Sequence, residues 1–372
     1  MDLGALRRNL RRVEAAVGPG TALVPMVKAD AYGLGMRAAA DAFRRELAPD
    51  GPWGFGVAAA AEGEALREAG WTGRVLLSSP MPPDELPRAA RAGLTPSVWE
   101  LETLRRWAEL AAGAGRRLPF HLEVDTGMGR AGLPWAEAAE WGVEAARIAA
   151  GRLLWEGCFT HFHSADEPDL AATDRQWERF RHALSLLPPP AEGDPPRLVH
   201  SSNSAAALRR AGYGCDLARP GIFLYGGAAG ADVQPEPVAS VRARLSLVRR
   251  VPAGTTVGYG ATYTAPRDEV WGTAAIGYGD GLRRALATAG GEAIVRGVRV
   301  PIVGRISMDV SVLNLSRVPG ARAGDVATFI GRDGAEEIRV DEVAERCGTI
   351  SYEILTGLTP RLPRVYLGGG SP

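Results

Sequence analysis

The sequence predicts a (β/α)8 barrel followed by a mostly-β domain, and three observations lead to this fold class. The chain has 372 residues, 46% of them hydrophobic, which is enough for two domains with full cores. Residues 1–225 alternate short apolar runs with Ala-, Arg- and Glu-rich stretches of helical periodicity. After a Gly- and Pro-rich linker at residues 226–237, closely spaced β-rich runs take over. A doubly wound sheet is the alternative for the first part.

Eight apolar runs in residues 1–230 are candidate barrel strands. They are Ala22–Val27, Trp53–Val57, Arg74–Leu77, Thr95–Trp99, Phe120–Val124, Leu154–His161, Leu198–Ser201 and Ile222–Tyr225. The stretches between them have amphipathic helical patterns, and the first helix places Leu3, Leu6, Leu10 and Val13 on one face. Eight strands with intervening helices predict a barrel whose reactive groups lie at the C-terminal strand ends.

The second domain, residues 231–372, is predicted to be mostly β. Its β-rich runs are Ser240–Val251, Thr273–Ile276, Ala293–Val303, Val310–Leu315 and Val326–Ile330, and one helix is predicted near Val340–Cys347. Gly and Pro separate these runs, as is typical of turns between strands. We therefore expect a separate sheet after the barrel.

Composition excludes several classes of partner. The 43 basic residues equal the 43 acidic ones, so no charge excess indicates nucleic acid or an acidic membrane surface. No apolar run reaches transmembrane length, and the N-terminal residues show no signal-peptide pattern. Three widely spaced cysteines, Cys158, Cys215 and Cys347, fit reduced thiols. We expect a cytoplasmic protein.

Lys28 directly follows the first predicted strand and precedes a glycine-broken turn. A lysine in a dry site has a lowered pKa and can act as a Schiff-base nucleophile and proton shuttle. The alternative is a surface lysine whose stem packs on apolar neighbours. More polar residues stand at the other strand ends, namely Tyr32, Glu123, Asp125, Arg130, His161, His163, Asp166, Asn203, Ser204 and Arg219. This accumulation favours chemistry over the surface interpretation.

A metal site is one interpretation of His161 and His163, since alternate residues of a strand point the same way and Asp166 follows closely. No third His or Cys stands at a suitable spacing. We therefore expect no metal.

Seven short motifs follow one another along nearly the whole chain. They are VKADAYG at 27–33, VDTGMGR at 124–130, THF at 160–162, NSAA at 203–206, RPGI at 219–222, GYG at 258–260 and SMD at 307–309. In this order they resemble the alanine racemases, pyridoxal-phosphate enzymes with a barrel and a C-terminal β domain. The resemblance implies interconversion of L- and D-alanine, which supplies D-alanine for peptidoglycan.

The resemblance also implies a site for pyridoxal 5'-phosphate. Lys28 is expected to hold the cofactor as an internal aldimine, His161 to stack on its ring, and Arg219 to face the ring nitrogen. Because arginine stays protonated, it donates to a neutral ring nitrogen, which weakens the electron sink and should suppress transamination. The phosphate is expected to contact Tyr32, Asn203, Ser204, Gly221 and Ile222. Ser204 is also a suitable helix N-cap.

Racemisation needs a proton acceptor on each face of a planar carbanion, and the resemblance assigns these roles to Lys28 and Tyr259. Tyr259 is expected to reach the site across a homodimer. A phenol has a pKa of about 10, so Tyr259 needs nearby cations to act as a base. From residues alone, Tyr259 also fits an ordinary hairpin turn. Arg130 and Met308 are expected to bind substrate, with Glu123, Asp166, Tyr278, Arg284, Arg305 and Asp309 around them or at the entrance.

Two positions depart from the family pattern. Glu123 stands where many members carry a carbamylated lysine that orients the arginine matching Arg130. A glutamate supplies a negative group without carbon dioxide, although it also fits an ordinary strand position. Pro360 stands where some members place an entrance tyrosine.

Three other functions remain open from the sequence. One is a racemase of another amino acid, such as serine. Another is a fold-related pyridoxal-phosphate decarboxylase, which normally carries a reactive cysteine across the dimer where this chain has Ser307-Met308-Asp309. The third is a non-catalytic pyridoxal-phosphate carrier, but such proteins are barrels without a β domain.

Overall fold

The computed structural model describes residues 1–368, and its first part is a closed barrel of eight parallel strands. Nine strands, eight of them in the ring, make up this sheet: β1 Ala22–Leu23, β2 Gly54–Val57, β3 Arg74–Leu77, β4 Thr95–Val98, β5 Leu118–Asp125, β6 Leu133–Pro134, β7 Leu153–Phe159, β8 Leu198–His200 and β9 Leu217–Ala218. They pair in the order β1-β9-β8-β7-β5-β4-β3-β2, while β6 pairs with β5 beside the ring. A parallel bridge between Met26 and Gly56 closes it. The barrel prediction is confirmed, and the doubly wound alternative is wrong.

Helices surround the barrel and bury one face each against it. The α-helices are Leu3–Val17, Met36–Glu46, Ala60–Glu68, Leu86–Arg91, Leu101–Ala114, Ala138–Ala149, Ala171–Leu186 and Ser204–Arg209, with 3-10 turns at Pro83–Glu85, Trp135–Glu137 and Ala211–Tyr213. The first helix begins after Asp2, whose side chain accepts a hydrogen bond from the Ala5 N–H at 2.9 Å. The predicted inner face of this helix is confirmed, since Leu6, Leu10 and Val13 are fully buried.

The prediction of the eighth strand was wrong. Ile222–Tyr225 forms a buried 3-10 helix, and the last barrel strand is β9, Leu217–Ala218. Both segments are short and apolar, and periodicity cannot distinguish a buried strand from a buried helical turn at this length. Pro220, which lacks an N–H, follows the strand closely and helps to end it.

The second part is mostly β, as predicted. Its strands are β10 Val241–Val251, β11 Thr256–Val257, β12 Tyr263–Thr264, β13 Glu269–Ala274, β14 Glu292–Val295, β15 Val298–Pro301, β16 Ser311–Asn314, β17 Val326–Asp333 and β18 Glu336–Ile338. An antiparallel sheet runs β15-β14-β17-β10-β13-β16, with β18 on β17, and β11 pairs with β12. Short 3-10 turns are at Tyr259–Ala261, Tyr278–Asp280 and Arg284–Ala287.

Two details of this domain differ from the prediction. The run Ala293–Val303 is a hairpin, because Arg296 and Gly297 both have positive φ and turn the chain back. Besides the expected helix, Val340–Arg346, a second helix spans Ser351–Thr356. Residues 369–372 of the predicted domain lie outside the described residues. Within residues 1–368, every helix is too short or too polar to cross a bilayer.

Candidate active site

Lys28 begins a left-handed turn rather than the open loop expected after the first strand. Ala29, Asp30, Ala31 and Tyr32 have φ values of 51°, 52°, 54° and 58°, all in the left-handed region. For residues other than glycine this conformation costs about 1–2 kcal/mol each. The turn must therefore be held by contacts with the rest of the fold.

Glu62, in the helix after β2, supplies one such contact. Its Oε1 accepts a hydrogen bond from the Ala29 N–H at 2.6 Å, and its Oε2 accepts one from the Ala58 N–H at 2.8 Å. The Asp30 side chain then accepts from the Met36 N–H at 2.7 Å. Sequence reasoning missed Glu62, because nothing local indicates that a helix residue from the next βα unit fixes the lysine turn.

The environment of Lys28 favours the neutral amine. Burial lowers the pKa of Lys28, the charges of Arg130 and Arg219 lower it further, and Glu62 opposes them. A neutral amine is the nucleophilic form. The composition also singles out this residue, because Lys28 is the only lysine among the 43 Lys and Arg residues.

His161 lies just after β7 at the same end of the barrel. Burial lowers its pKa to about 3, and the nearby cations Arg219, Arg130 and Lys28 act in the same direction. The imidazole is therefore neutral and suited to stacking. His163 is exposed, and its Nδ1 lies 2.6 Å from the Ser164 hydroxyl. Residues 1–368 contain no group of three His, Cys, Asp or Glu arranged to hold a metal ion.

Arg219 follows β9 and is 5% exposed. Its Nη2 donates to the Thr160 carbonyl at 2.9 Å, and its Nη1 donates to His200 Nδ1. Burial lowers the pKa of Arg219 to about 10, so it remains protonated at neutral pH. The structure therefore places a fixed cation inside the barrel end that carries Lys28.

Polar groups from three segments meet after β8 and β9. The Ser204 hydroxyl accepts a hydrogen bond from the Gly221 N–H at 2.8 Å. A Cβ atom added at Gly221 would lie 2.1 Å from the Tyr32 hydroxyl oxygen, so glycine is required there. Asn203, rather than Ser204, caps the following helix, because its Oδ1 accepts from the Ala206 N–H at 3.0 Å. Ile222 starts the next 3-10 helix.

Glu123 is buried on β5, and Arg130 is exposed after the next turn. The Asp125 side chain shapes that turn by accepting from the Gly127 and Gly129 N–H groups at 2.9 and 3.1 Å. Burial raises the pKa of Glu123, while Arg219 and Arg130 oppose the rise. In the described part of the chain no direct ion pair joins Glu123 to Arg130, so their interaction acts over a longer distance.

A second group of predicted residues lies exposed on the β domain. Tyr259 is 70% exposed, Met308 52% and Tyr278 39%. Tyr259 starts the 3-10 turn between β11 and β12, and the Arg305 guanidinium lies so close that a Cβ atom at Gly260 would be 2.9 Å from its Nη1. Within residues 1–368, no hydrogen bond joins Tyr259 to Lys28.

Arg361 anchors this exposed surface and was missed by sequence reasoning. Its Nη2 donates to Asp309 Oδ1 at 2.8 Å, and its Nε lies 3.2 Å from Asp280 Oδ1. Arg284 lies exposed on its 3-10 turn. Asp166 is exposed as well, and its charge contributes, after burial, to raising the pKa of Tyr352 to about 12.

Two family models match the chain. One, described as alanine racemase, N-terminal domain, matches residues 1–229, and the other, alanine racemase, C-terminal domain, matches residues 238–366. The alanine racemase of Citrifermentans bemidjiense is 38% identical over 99% of this chain and 98% of that protein. That of Carboxydothermus hydrogenoformans is 37% identical over 99% of this chain and 98% of that protein.

Solved structures agree with these matches. The alanine racemase of Bacillus anthracis with bound L-Ala-P has a TM-score of 0.89 and 33% identity, covering 100% of this chain and 94% of that one. The enzyme of Bartonella henselae with covalently bound pyridoxal phosphate has a TM-score of 0.88 and 28% identity, covering 99% and 98%. The similarity therefore extends over both domains.

Proposed function

Because this chain belongs to the alanine racemase family and is an isomerase that interconverts L- and D-alanine, we propose that it works with pyridoxal 5'-phosphate at the barrel end. One observation carries the proposal. Lys28, the only lysine of the chain, lies close enough to His161 and Arg219 for their charges to affect one another. These residues lie at the strand ends where the Ser204 hydroxyl also binds the Gly221 N–H group.

The residues present fit this cofactor group by group. Lys28 offers an amine with a lowered pKa for the carbonyl carbon. Neutral His161 offers a flat ring surface. Tyr32, Asn203, Ser204 and the backbone N–H groups of Gly221 and Ile222 offer donors to the phosphate, after the last two strands, where barrels often bind phosphate.

Bound pyridoxal phosphate supplies the electron sink that acidifies the Cα–H bond of the amino acid. Arg219 would donate a hydrogen bond to the ring nitrogen and leave it neutral, because a guanidinium with a pKa of about 10 does not yield its proton at neutral pH. A weaker electron sink would suppress transamination and favour return of the proton to Cα. Arg130 binds the substrate carboxylate, and Met308 bounds the space for a small side chain.

Lys28 and Tyr259 hold the proton on opposite faces of Cα. The Lys28 amine accepts it from D-alanine, and the Tyr259 phenolate accepts it from L-alanine. In a single chain the Tyr259 side chain is 70% exposed, so a dry site for it requires a second surface. Two cations lie on this surface, Arg305 beside the turn that carries Tyr259 and Arg361 bound to Asp309.

The exposure of Tyr259, Tyr278 and Met308 supports a homodimer with shared sites. These three side chains form part of a surface that would be covered if a second copy placed its barrel end against it. Each site then takes Lys28 from one copy and Tyr259 from the other. Its product, D-alanine, would serve peptidoglycan synthesis.

Borohydride reduction followed by peptide mapping tests the cofactor assignment. Because the chain has a single lysine, only Lys28 and the N-terminal amine can be labelled, so the result is decisive. We expect a pyridoxyl group on Lys28 and loss of the cofactor's visible absorbance in Lys28→Ala. A label on Met1 alone would contradict the assignment. Chiral chromatography of alanine and serine, with a carbon dioxide assay, separates alanine racemisation from the other activities.

A further inference from the structure

Five side chains lead from Arg219 through the barrel interior towards its opposite end. Arg219 Nη1 donates to His200 Nδ1, and His200 Nε2 lies 2.7 Å from His121 Nδ1. His121 Nε2 lies 3.4 Å from Glu156 Oε2. Arg74, the first residue of β3, donates from Nε to Glu156 Oε1 at 2.9 Å. We call these five residues the histidine bridge.

Chemistry fixes the direction of the two hydrogen bonds that join Arg219, His200 and His121, while His121 Nε2 and Glu156 Oε2 face each other at 3.4 Å without a hydrogen-bond partner. Arginine only donates, so His200 Nδ1 must accept and carry no proton. His200 therefore donates from Nε2 to His121 Nδ1, which leaves the His121 proton on Nε2, facing Glu156. Both rings are fully buried, and burial lowers the pKa of each, so both are neutral. Burial opposes ionisation of Glu156, but His121 and Arg74 lower its pKa overall.

The backbone is shaped to make the histidine bridge possible. Where β5 pairs with β7, Phe120 faces Trp155 but His121 faces Gly157, so Glu156 is an extra, bulged residue. A bulge redirects the side chain that it carries. A Cβ atom at Gly157 would lie 2.5 Å from the His121 ring, so the ring occupies space that only glycine leaves free.

Aromatic contacts fix the planes of both imidazoles. Phe159 stacks on His200 with ring centres 4.8 Å apart and planes 8° from parallel. Trp53 meets His121 edge-on at 5.5 Å, and the Arg74 guanidinium lies over the Trp53 ring at 5.0 Å. The two rings therefore keep one orientation, and the only property that can still vary is which nitrogen of each ring carries the proton.

We propose that Glu156 is a positioning residue for racemisation, acting through His121 and His200 on Arg219. The inference rests on the proposed function, which assigns Arg219 to the cofactor ring nitrogen. The Glu156 carboxylate attracts the His121 proton to Nε2, and this makes His121 Nδ1 and then His200 Nδ1 acceptors. Without the anion, the tautomers that Arg219 requires would leave the buried His121 Nε2–H group with no acceptor, and the inverted tautomers would relieve this only by turning a His200 Nδ1–H group towards the donor of Arg219. A partner that orients such a group affects activity without contacting substrate.

The test compares Glu156→Gln with Arg74→Gln in the holoenzyme. Arg74→Gln is the matched control, because it removes the half-exposed end of the same ion pair and leaves the carboxylate facing His121. The chain has five histidines, so selective 15N-histidine labelling gives few signals. The parent should show His121 and His200 as neutral Nε2–H tautomers.

We expect Glu156→Gln to change both tautomer signals and to lower kcat by about ten- to a hundred-fold with little change in KM. Arg74→Gln should lower the melting temperature but keep the tautomers and kcat. Unchanged tautomers in Glu156→Gln would overturn the proposal, and so would an equal loss of kcat in the two variants at equal melting temperature.

Gly157→Ala provides a second variant if Glu156→Gln does not fold. It displaces His121 without removing a polar group, and it should reproduce the tautomer change and the loss of kcat. Normal tautomers and normal kcat in Gly157→Ala would count against the proposal. Because the NMR measurement needs no turnover, a parent enzyme that fails to racemise alanine would refute the proposed function separately.

Discussion

Arg364 donates two hydrogen bonds to the carbonyl oxygen of Gly33, from Nε at 3.0 Å and from Nη2 at 2.7 Å. Gly33 ends the left-handed turn that Lys28 begins. The same guanidinium also binds the carbonyls of Leu358, Thr359 and Leu362 at 2.6–2.9 Å. The C-terminal segment therefore braces the lysine turn.

Replacing Arg364 should loosen this turn. In Arg364→Met, carbonyls that the guanidinium satisfied lose their donor, so the free energy of unfolding should fall by about 2–3 kcal/mol. Pyridoxal phosphate should also dissociate more readily, because Lys28 loses its fixed position. Urea unfolding and cofactor titration measure the two effects. Arg322→Met, at a side chain that is 85% exposed, is the control. Normal cofactor affinity in a destabilised Arg364→Met protein would show that the brace does not serve Lys28.

Tyr259→Phe should lower racemisation by about 10²–10⁴-fold, the range for loss of a positioned acid–base group. The cofactor absorbance should remain, because Lys28 is untouched. Tyr263→Phe is a matched control in the same hairpin, since its hydroxyl binds Glu269 at 2.8 Å and is not assigned to the site. Near-normal racemisation by Tyr259→Phe would rule out the second base.

Mixing two inactive variants tests the shared sites. Lys28→Ala and Tyr259→Phe chains should regain activity when their subunits exchange, because each heterodimer then contains one complete site. As a control, a sample that contains only one of the two variants should remain inactive after the same exchange procedure. Subunit exchange confirmed by native mass spectrometry, but without activity, would mean that each site is built from one chain.

Glu123→Gln should weaken turnover by about ten- to a hundred-fold while cofactor binding persists, as for loss of an orienting partner. Burial raises the pKa of Glu123, so the parent should lose turnover as the pH falls through that raised value and the carboxylate takes up a proton. The turnover of the glutamine variant should not show this decrease at low pH. Equal activity of parent and Glu123→Gln would make Glu123 an ordinary strand residue.

The same pKa shift predicts the effect of Glu123 on stability. A carboxyl with a raised folded-state pKa contributes stability below its unfolded pKa, and this contribution is lost as pH rises through the folded value. At neutral pH Glu123→Gln should therefore unfold no more easily than the parent, although its turnover is lower.

Added bicarbonate should not change the turnover of the parent, and only the turnover of Glu123→Lys should increase. A gain in the parent would contradict the idea that Glu123 replaces a carbamylated lysine.

Seven of the eight barrel strands, and the strand ends that carry Lys28, Glu123 and His161, could be predicted from the sequence, because short buried strands alternate with amphipathic helices. The eighth strand could not, since β9 has two residues and the more apolar run after it is a helical turn. Glu62, Glu156 and Arg361 were missed as well. Each contacts residues distant in the chain, and an isolated Glu or Arg carries no local signal of such contacts.

The sequence alone determined which groups are available: a single lysine, Tyr259 between two glycines, and an arginine before Pro220. Only the tertiary structure decided how Lys28 is presented. Local preferences oppose left-handed φ at Ala29, Ala31 and Tyr32, and the turn exists because Glu62 and Arg364, 33 and 331 residues away from the groups they bind, satisfy its backbone. Contacts at such separations form only when the whole chain has folded, so no local pattern could have shown them.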